Sequence, residues 1–327
     1  MRAALLHEAP GDLIVGDVTL TDIGPDEVLV RTVACGLCHS DLHFIDGSIP
    51  GPLPALYGHE AAGIVEAVGS DVSEFAPGDP VVGCLNTFCG ECRQCRAGRT
   101  FLCDNRKHLQ LGADGRSRVR QGDADVYQMS GLGGFAEMML THRNGITKVP
   151  EELPLEVGAL LGCAVITGVG AAFKTARVEP GSSVAVVGVG GIGLNIIQGA
   201  ALAGAERIIA VDLNPDKLEL ATTFGATDGV DASQGDAVGE IVEMTQGGVD
   251  SSFEAIGLAA TASQAFRMLR PGGMAYLVGL SPHGTNYEFA GNDMVLRSRG
   301  VQGVFMGSNY FKRDIPMLAN LYLQGRL

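Results

Sequence analysis

The sequence predicts an α/β fold in which a mostly β domain is followed by a doubly wound parallel sheet. Up to about residue 150 the chain is rich in short β-like runs, such as EVLVRTVACG and AAGIVEAVG, separated by turns with Gly and Pro. From about residue 165 short apolar strands alternate with helical segments, which is typical of a parallel sheet covered on both faces. Six candidate strands occur there, the number found in a doubly wound nucleotide-binding fold. The 327 residues are enough for two domains with their own cores.

One long segment of the first half, 104–134, does not follow the β-like pattern. It is polar and irregular in sequence. A structureless loop of that length is uncommon and is usually functional. We therefore expect an irregular functional or interface loop at this point.

The composition excludes several classes of function. Hydrophobic residues make up 46% of the chain and charged residues 18%, as in a globular protein. No apolar run reaches the roughly 18 residues of a membrane helix, and an acidic residue at position 8 is unlike a secretory signal. The net charge of −14 disfavours nucleic acids and anionic membranes as partners. Eight cysteines in such a chain favour thiols and metal sites, and hence a cytoplasmic protein.

A glycine-rich motif opens the second half. GVGGIG at 188–193 follows the strand SVAVV and begins a helical segment, with Gly188, Gly190 and Gly193 in the G-x-G-x-x-G register. Asp212 ends the next strand, nineteen positions after Gly193. This is the dinucleotide-binding pattern in its required context, where the glycines let the backbone approach a pyrophosphate at a helix N-terminus. Asp212 would bind the adenosine ribose and repel a 2′-phosphate, which favours NAD over NADP; the alternative is a glycine-rich turn without a ligand.

Cysteine and histidine residues divide into two candidate zinc sites. Four cysteines within a lobe at about 86–104 have C-x2-C-x2-C-x7-C spacing, so their thiolates can close a tetrahedron around a structural Zn²⁺; they are Cys89, Cys92, Cys95 and Cys103. Three scattered residues, Cys38, His59 and Cys163, would leave a fourth position open, as in a catalytic zinc site. No spacing rule joins these three, so an ordinary core histidine is the alternative interpretation of His59.

Several motifs together resemble those of the zinc-dependent medium-chain alcohol dehydrogenases. They are GLCHSDLH (36–43), GHEAAG (58–63), the four-cysteine lobe, LLGCAVITG (160–168), GVGGIG and VDLNPDK (211–217). The resemblance implies a GroES-like catalytic domain over 1–164 and a Rossmann domain over 165–307, with the active site in the cleft between them. Residues 308–327 would begin a C-terminal return to the catalytic domain. Because the family's chains run further, we expect the natural product to continue beyond position 327.

The resemblance also assigns roles to individual residues. It implies that Cys38, His59 and Cys163 bind a catalytic zinc, and that the four clustered cysteines bind a structural one, giving two zinc ions per chain. Beside the catalytic metal the family places a glutamate, a carboxylate that orients the ligand histidine, a hydroxyl that contacts the substrate oxygen and the outer end of a proton relay. The corresponding residues are Glu60, Asp41, Ser40 and His43.

The family's cofactor and substrate contacts map onto further residues. Those expected to contact NAD are His39 at the pyrophosphate, Thr167 and Ile192 at the nicotinamide, Gly188, Gly190, Gly191 and Gly193 in the turn, Asp212 and Lys217 at the adenosine ribose, and Leu213 and Ile256 at the adenine. The expected substrate pocket consists of Ile49, Leu85, Met129 and Ser130. Three apolar residues without a fixed charge suggest a hydrophobic or aromatic alcohol.

The expected function is hydride transfer between a primary or secondary alcohol and NAD⁺. Within enzymes the alternative is an NAD-dependent formaldehyde dehydrogenase acting on a non-glutathione thiol adduct, which would need an added thiol. A non-catalytic NAD- and zinc-binding sensor is a second alternative, and turnover of any alcohol would eliminate it. The apolar strand at 301–307 would be a sheet edge, and such edges invite pairing, so we expect a homodimer.

Overall fold

The computed structural model describes residues 1–112 and 114–327. The described chain divides into two compact units. The first comprises Met1–Cys163 together with Asn309–Leu327, and the second comprises Ala164–Ser308. Residue 113, which belongs to the segment 104–134, lies outside the described residues.

The first unit is mostly β. Its strands are β1 (Arg2–Leu6), β2 (Leu13–Asp17), β3 (Thr19–Leu20), β4 (Glu27–Gly36), β5 (Ala55–Leu56), β6 (Glu60–Val68), β7 (Pro80–Gly83), β8 (Val119–Gln121), β9 (Ala124–Gln128), β10 (Met138–His142) and β11 (Ile146–Lys148). Its helices before residue 164 are α1 (His39–Ile45), α2 (Arg93–Arg96), α3 (Arg106–Leu109) and α4 (Leu155–Leu160).

The strands form two sheets around apolar cores. One has the order β2-β1-β5-β9-β8-β3 and the other the order β10-β4-β6-β7-β11. Val28 and Val30 alternate along β4 and pack with Val65 and Val81 of the neighbouring strands, so alternate side chains of these strands are buried together. The predicted mostly β domain is confirmed.

The expectation of an irregular loop over 104–134 is wrong for its second half. β8 and β9 pair antiparallel, with Val119 opposite Val126, and they complete the first sheet. Val119 and Val126 are buried in its core. The apolar side chains of this hairpin are few, and the surrounding charges concealed its alternation.

The second unit contains the predicted doubly wound sheet. Its strands are β12 (Ser183–Val187), β13 (Arg207–Asp212), β14 (Asp228–Asp231), β15 (Val249–Glu254), β16 (Leu269–Leu277) and β17 (Gly300–Gly303). All neighbouring pairs are parallel in the order β14-β13-β12-β15-β16-β17. In chain order this is 3-2-1-4-5-6, the arrangement of dinucleotide-binding folds, so the prediction is confirmed.

Helices cover both faces of this sheet. The helices of this unit are α5 (Ile166–Gly170), α6 (Gly191–Ala203), α7 (Pro215–Thr223), α8 (Ala237–Met244), α9 (Ala259–Arg267) and α10 (Gly291–Leu296). Val184 and Val186 of β12 pack on one face, whereas Ala185 and Val187 pack on the other. A central strand buried on both faces explains the continuous apolar run SVAVV.

The chain returns to the first unit through α11 (Phe311–Leu323). Phe311, Ile315, Leu318 and Ala319 are buried. Their spacing of four, three and one places them along one stripe of the helix. Phe88, beside the four-cysteine lobe, contacts Phe311 edge to face, with 5.6 Å between the ring centroids.

One helical stretch, Leu155–Ala176, is long and apolar enough to cross a membrane by length and composition alone. It is 67% buried inside the protein over its apolar window. That degree of burial is the property of a core helix.

Candidate metal and nucleotide sites

The loop before α1 and the start of β6 hold the first candidate site together. Cys38 immediately precedes α1, and its backbone N–H donates to Asp41 Oδ2 at 3.0 Å. The other carboxylate oxygen of Asp41 lies 3.2 Å from His59 Nδ1 and accepts a 3.2 Å hydrogen bond from the Gly58 N–H. Asp41 and His59 are both fully buried. Asp41 therefore fixes the ring of His59 and directs its Nε2 away from the carboxylate.

The side chains predicted to bind the catalytic metal lie together. The ligand atoms of Cys38, His59, Glu60 and Cys163 are all within 4.8 Å of one another. His59 Nε2 is buried and has no hydrogen-bond partner within residues 1–112 and 114–327. Cys163 lies in a π-helical turn, Leu161–Val165, of the kind that frequently marks functional positions in helices.

The electrostatics of this cluster favour a bound cation. A hydrogen bond from the Cys163 thiol lowers the pKa of Cys38 to about 3, whereas that same contact and burial raise the pKa of Cys163. Burial alone would lower the pKa of His59, but the hydrogen bond to Asp41 and the nearby negative charges of Asp41 and Cys38 raise it to about 10. Burial raises the pKa of Glu60 to about 7. Acidic groups and an imidazole crowded without water are stabilised by a metal ion, and two sulfurs with one imidazole suit Zn²⁺.

The second candidate metal site is local. The four sulfur atoms lie within 4.8 Å of one another and belong to Cys89, Cys92, Cys95 and Cys103. Backbone N–H groups donate to these sulfurs from Cys89, Cys92 and Cys95 at 3.3 to 3.5 Å. Asn105 Nδ2 lies 3.6 Å from Cys89 Sγ. N–H donors that point at sulfur stabilise thiolates, so the donor set fits a closed tetrathiolate zinc site.

The glycine turn between β12 and α6 leaves room for a ligand. A Cβ on Gly193 would lie 1.9 Å from the Gly188 carbonyl oxygen, so only glycine permits this tight turn. A Cβ on Gly190, in contrast, would meet no described atom within 4 Å. Gly190 therefore borders open space at the N-terminus of α6, where a pyrophosphate would fit.

Asp212 lies at the carboxyl end of β13, beside this turn. Its carboxylate accepts hydrogen bonds from the backbone N–H of Val189 at 2.8 Å and of Asn214 at 3.1 Å. Lys217 Nζ lies 4.0 Å from Asp212 Oδ2. Leu213 and Ile256, the residues expected at the adenine, are 68% and 44% exposed, which leaves apolar surface available at the edge of the sheet.

The remaining predicted residues are distributed over both units. His39, Ser40 and His43 lie on α1, and the rings of His39 and His43 are 4.9 Å apart. In the second unit, Thr167 is buried and Ile192 is half-buried.

The four predicted pocket residues, Ile49, Leu85, Met129 and Ser130, lie in the first unit. Met129 is buried and the other three are half-buried. Ser130 has a φ of 57°, in the left-handed region that few non-glycine residues adopt.

Sequence reasoning missed Glu254, which is fully buried at the end of β15. Its signal was an acidic residue at the carboxyl end of a central parallel strand, in the run SSFEAIG.

Two known domain families match this chain. Residues 24–151 match the alcohol dehydrogenase GroES-like domain, and residues 191–320 match the zinc-binding dehydrogenase domain. Alcohol dehydrogenase-like 1 of Arabidopsis thaliana is 36% identical over 100% of this chain and 87% of its own length. The NDMA-dependent alcohol dehydrogenase of Amycolatopsis methanolica is 37% identical over 100% of this chain and 89% of its own length.

Solved structures are similar over almost the whole chain. Benzyl alcohol dehydrogenase from Acinetobacter calcoaceticus superposes with a TM-score of 0.93 at 35% identity, covering 99% of this chain and 89% of that one. A zinc-binding dehydrogenase from Sinorhizobium meliloti, whose structure is bound to NADP, superposes with a TM-score of 0.84 at 34% identity. The match covers 100% of this chain and 89% of that one.

Proposed function

Because this chain belongs to the zinc-dependent medium-chain alcohol dehydrogenase family, we propose that it transfers a hydride between a hydrophobic or aromatic, primary or secondary alcohol and NAD⁺, giving an aldehyde or ketone. The cluster of Cys38, His59 and Cys163 carries this proposal. It combines the donor set of a catalytic zinc site with an oriented histidine whose Nε2 has no protein partner in the described chain.

The residues around this cluster have distinct tasks. A zinc ion bound there supplies a Lewis acid that makes a hydroxyl group more acidic. Cys38, His59 and Cys163 would hold the ion, and Asp41 keeps the ring of His59 in the binding orientation. Glu60 lies beside the same ligands, and its carboxylate could reach the ion as an alternative ligand.

Two residues of α1 would carry the alcohol proton. Ser40 is half-buried and would accept the proton from the substrate hydroxyl as its own hydroxyl proton moves on toward His43. His43 would pass the proton on to solvent. The Nδ1 atom of His43 is buried and has no hydrogen-bond partner among the residues described, so it is available for this relay.

NAD would bind at the turn between β12 and α6. The open space at Gly190 supports a pyrophosphate there, and the carboxylate of Asp212 favours a free ribose 2′-hydroxyl over a 2′-phosphate. The hydride chemistry belongs to the cofactor, whereas the protein supplies orientation and a site that excludes water. One similar structure is bound to NADP, so the experiment must compare NAD⁺ with NADP⁺.

The apolar residues Ile49, Leu85 and Met129 favour an uncharged, hydrophobic substrate. The similarity to benzyl alcohol dehydrogenase supports an aromatic alcohol as the substrate.

The free cysteines favour a location in the reducing cytoplasm. The position of β17 at the sheet edge favours pairing of two chains into a homodimer. A sedimentation mass equal to one chain would contradict the dimer.

The test is a panel of aliphatic and aromatic alcohols with NAD⁺, NADP⁺ and NDMA as alternative acceptors. We expect reduction of NAD⁺, with higher kcat/KM for aromatic than for short aliphatic alcohols. No turnover with any alcohol would overturn the proposal. A rate on formaldehyde only with an added thiol would establish the thiol-adduct alternative.

A further inference from the structure

A buried carboxylate lies beside the proposed dinucleotide site and has no part in the chemistry above. Glu254 is the last residue of β15 and is 0% exposed. Its Oε1 accepts hydrogen bonds from the backbone N–H of Ile256 at 3.0 Å and of Gly257 at 2.7 Å. The hydroxyl of Thr261 donates to the same oxygen at 2.8 Å, and the Leu258 N–H lies 3.5 Å away.

These contacts bind the loop that leads into α9, since the N–H donors of Ile256, Gly257 and Leu258 all precede the first residue of this helix. From the first turn of α9, Thr261 donates through its hydroxyl. Glu254 therefore fixes the entry to this helix from inside the protein.

The N-terminus of the neighbouring helix α6, in contrast, is open. β12 and β15 are adjacent parallel strands, so α6 and α9 begin at the same edge of the sheet. Gly190 precedes α6, and no side chain in the described chain caps its first turn. Space beyond Gly190 is open. The loop before α9 is therefore bound by Glu254, whereas the N-terminus of α6 is free for the phosphates of a dinucleotide.

The loop that Glu254 holds also packs against the glycine turn. A Cβ on Gly188 would lie 2.4 Å from Ile256 Cγ1, so the two segments are in close contact. On the other side, a Cβ on Gly279 would lie 2.2 Å from the Gly257 nitrogen. The loop is thus enclosed between two glycines while its N–H groups are bound by Glu254. A change in this loop would displace the first glycine of the nucleotide motif.

We propose that Glu254 is a positioning residue for the dinucleotide site, which holds residues 255–258 against the glycine turn. This inference rests on the proposed function, since it requires that the turn bind NAD. The proposed role of Glu254 should affect the affinity for the cofactor more than the rate of the chemical step.

The experiment measures the Kd of NADH by fluorescence titration of the zinc-loaded full chain, and kcat at saturating NAD⁺. Glu254→Ala should raise the Kd about tenfold or more and change kcat less than about threefold, because the chemical residues are untouched. Glu254→Gln should stay within about threefold of wild type, because an amide oxygen still accepts the same N–H groups. Glu243→Ala, an exposed change on α8, is the charge-matched control and should bind as wild type.

Chemical rescue separates positioning from general destabilisation. Formate should lower the Kd of Glu254→Ala toward the wild-type value, whereas chloride at equal ionic strength should not. Thr261→Val removes one donor to Glu254 with little change in shape, and it should raise the Kd by a smaller factor even if Glu254→Ala does not fold.

Two outcomes would contradict these expectations in different ways. If wild type, Glu254→Ala and Thr261→Val all bind NADH with the same Kd, the inference about Glu254 is overturned and the proposed function is not. Wild type that binds no NADH would overturn the proposed cofactor and the inference together.

Discussion

Asp41 determines which nitrogen of His59 is available to a metal. The carboxylate contacts Nδ1 at 3.2 Å and leaves Nε2 without a partner among the described residues. Loss of such a carboxylate typically weakens metal binding 10- to 100-fold. We predict that Asp41→Ala lowers the zinc content from two ions toward one per chain, measured by metal analysis after dialysis. Asp46→Ala, an exposed change at the other end of α1, should keep both ions.

His43 should affect the rate of alcohol oxidation most at low pH. If His43 passes the alcohol proton to solvent, then its loss leaves only slower routes, and these become limiting as the pH falls. We predict that His43→Ala slows alcohol oxidation about tenfold or more at pH 6 and less at pH 9. The check is the pH profile of kcat, and a profile parallel to that of wild type would remove His43 from the relay.

His142 gives the first unit a pH-dependent stability. Burial, assisted by the nearby charge of Arg118, lowers the pKa of His142 from 6.5 to about 4. Its neutral Nδ1 accepts the Asn144 N–H at 3.0 Å. Because the unfolded chain binds a proton near pH 6.5 and the folded chain only near pH 4, this contribution is complete above 6.5 and is lost as the pH falls toward 4.

We therefore predict that His142→Asn, whose amide oxygen can accept the same bond without titrating, loses less stability than wild type on acidification. The difference should be about 1 kcal/mol between pH 7.5 and 5.5 in urea unfolding. Equal losses in the two proteins would show that His142 does not titrate in this window.

Residues were predictable from sequence only where spacing or resemblance identified them. The four clustered cysteines follow a zinc pattern by themselves. The three scattered ligands do not, because their proximity depends on tertiary folding. Glu254 was missed because its partners are mainly backbone N–H groups, whose positions cannot be read from the sequence.

At the scale of elements, the turn between β12 and α6 offers a matched pair of substitutions. Gly193→Ala should destabilise the fold, because its Cβ would clash with the Gly188 carbonyl. Gly190→Ala meets no described atom, and Gly190 has a φ of −86°, which any residue can adopt. We predict an unchanged Tm for Gly190→Ala together with NADH binding weaker by about tenfold. Binding equal to wild type would mean that the open space does not receive the cofactor.

The parallel sheet was predictable because its central strands β12 and β13 contain continuous apolar runs, each followed by a helical segment. The hairpin of β8 and β9 was not predictable, because the alternation of apolar and polar residues in its strands is short and includes several charged residues. Its strand identity comes from pairing with the rest of the sheet, a tertiary effect that outweighs local propensity.

At the scale of the whole molecule, the chain leaves the first unit after Cys163 and returns to it at Asn309. Sequence patterns alone do not reveal such a return, since α11 looks like any amphipathic helix, and only the family resemblance suggested it. The return is anchored in the first unit, where Thr100 donates to the Asn309 carbonyl at 3.3 Å.

The most direct test of the account is zinc per chain measured together with the rate of NADH formation. Wild type, Cys163→Ser and Cys84→Ser would be compared, because both cysteines are buried but only Cys163 belongs to the predicted cluster. We predict two zinc ions and turnover for wild type and for Cys84→Ser. Cys163→Ser should retain one zinc ion and lose turnover by about a thousandfold. Full turnover and two zinc ions in Cys163→Ser would contradict the assignment of the catalytic site.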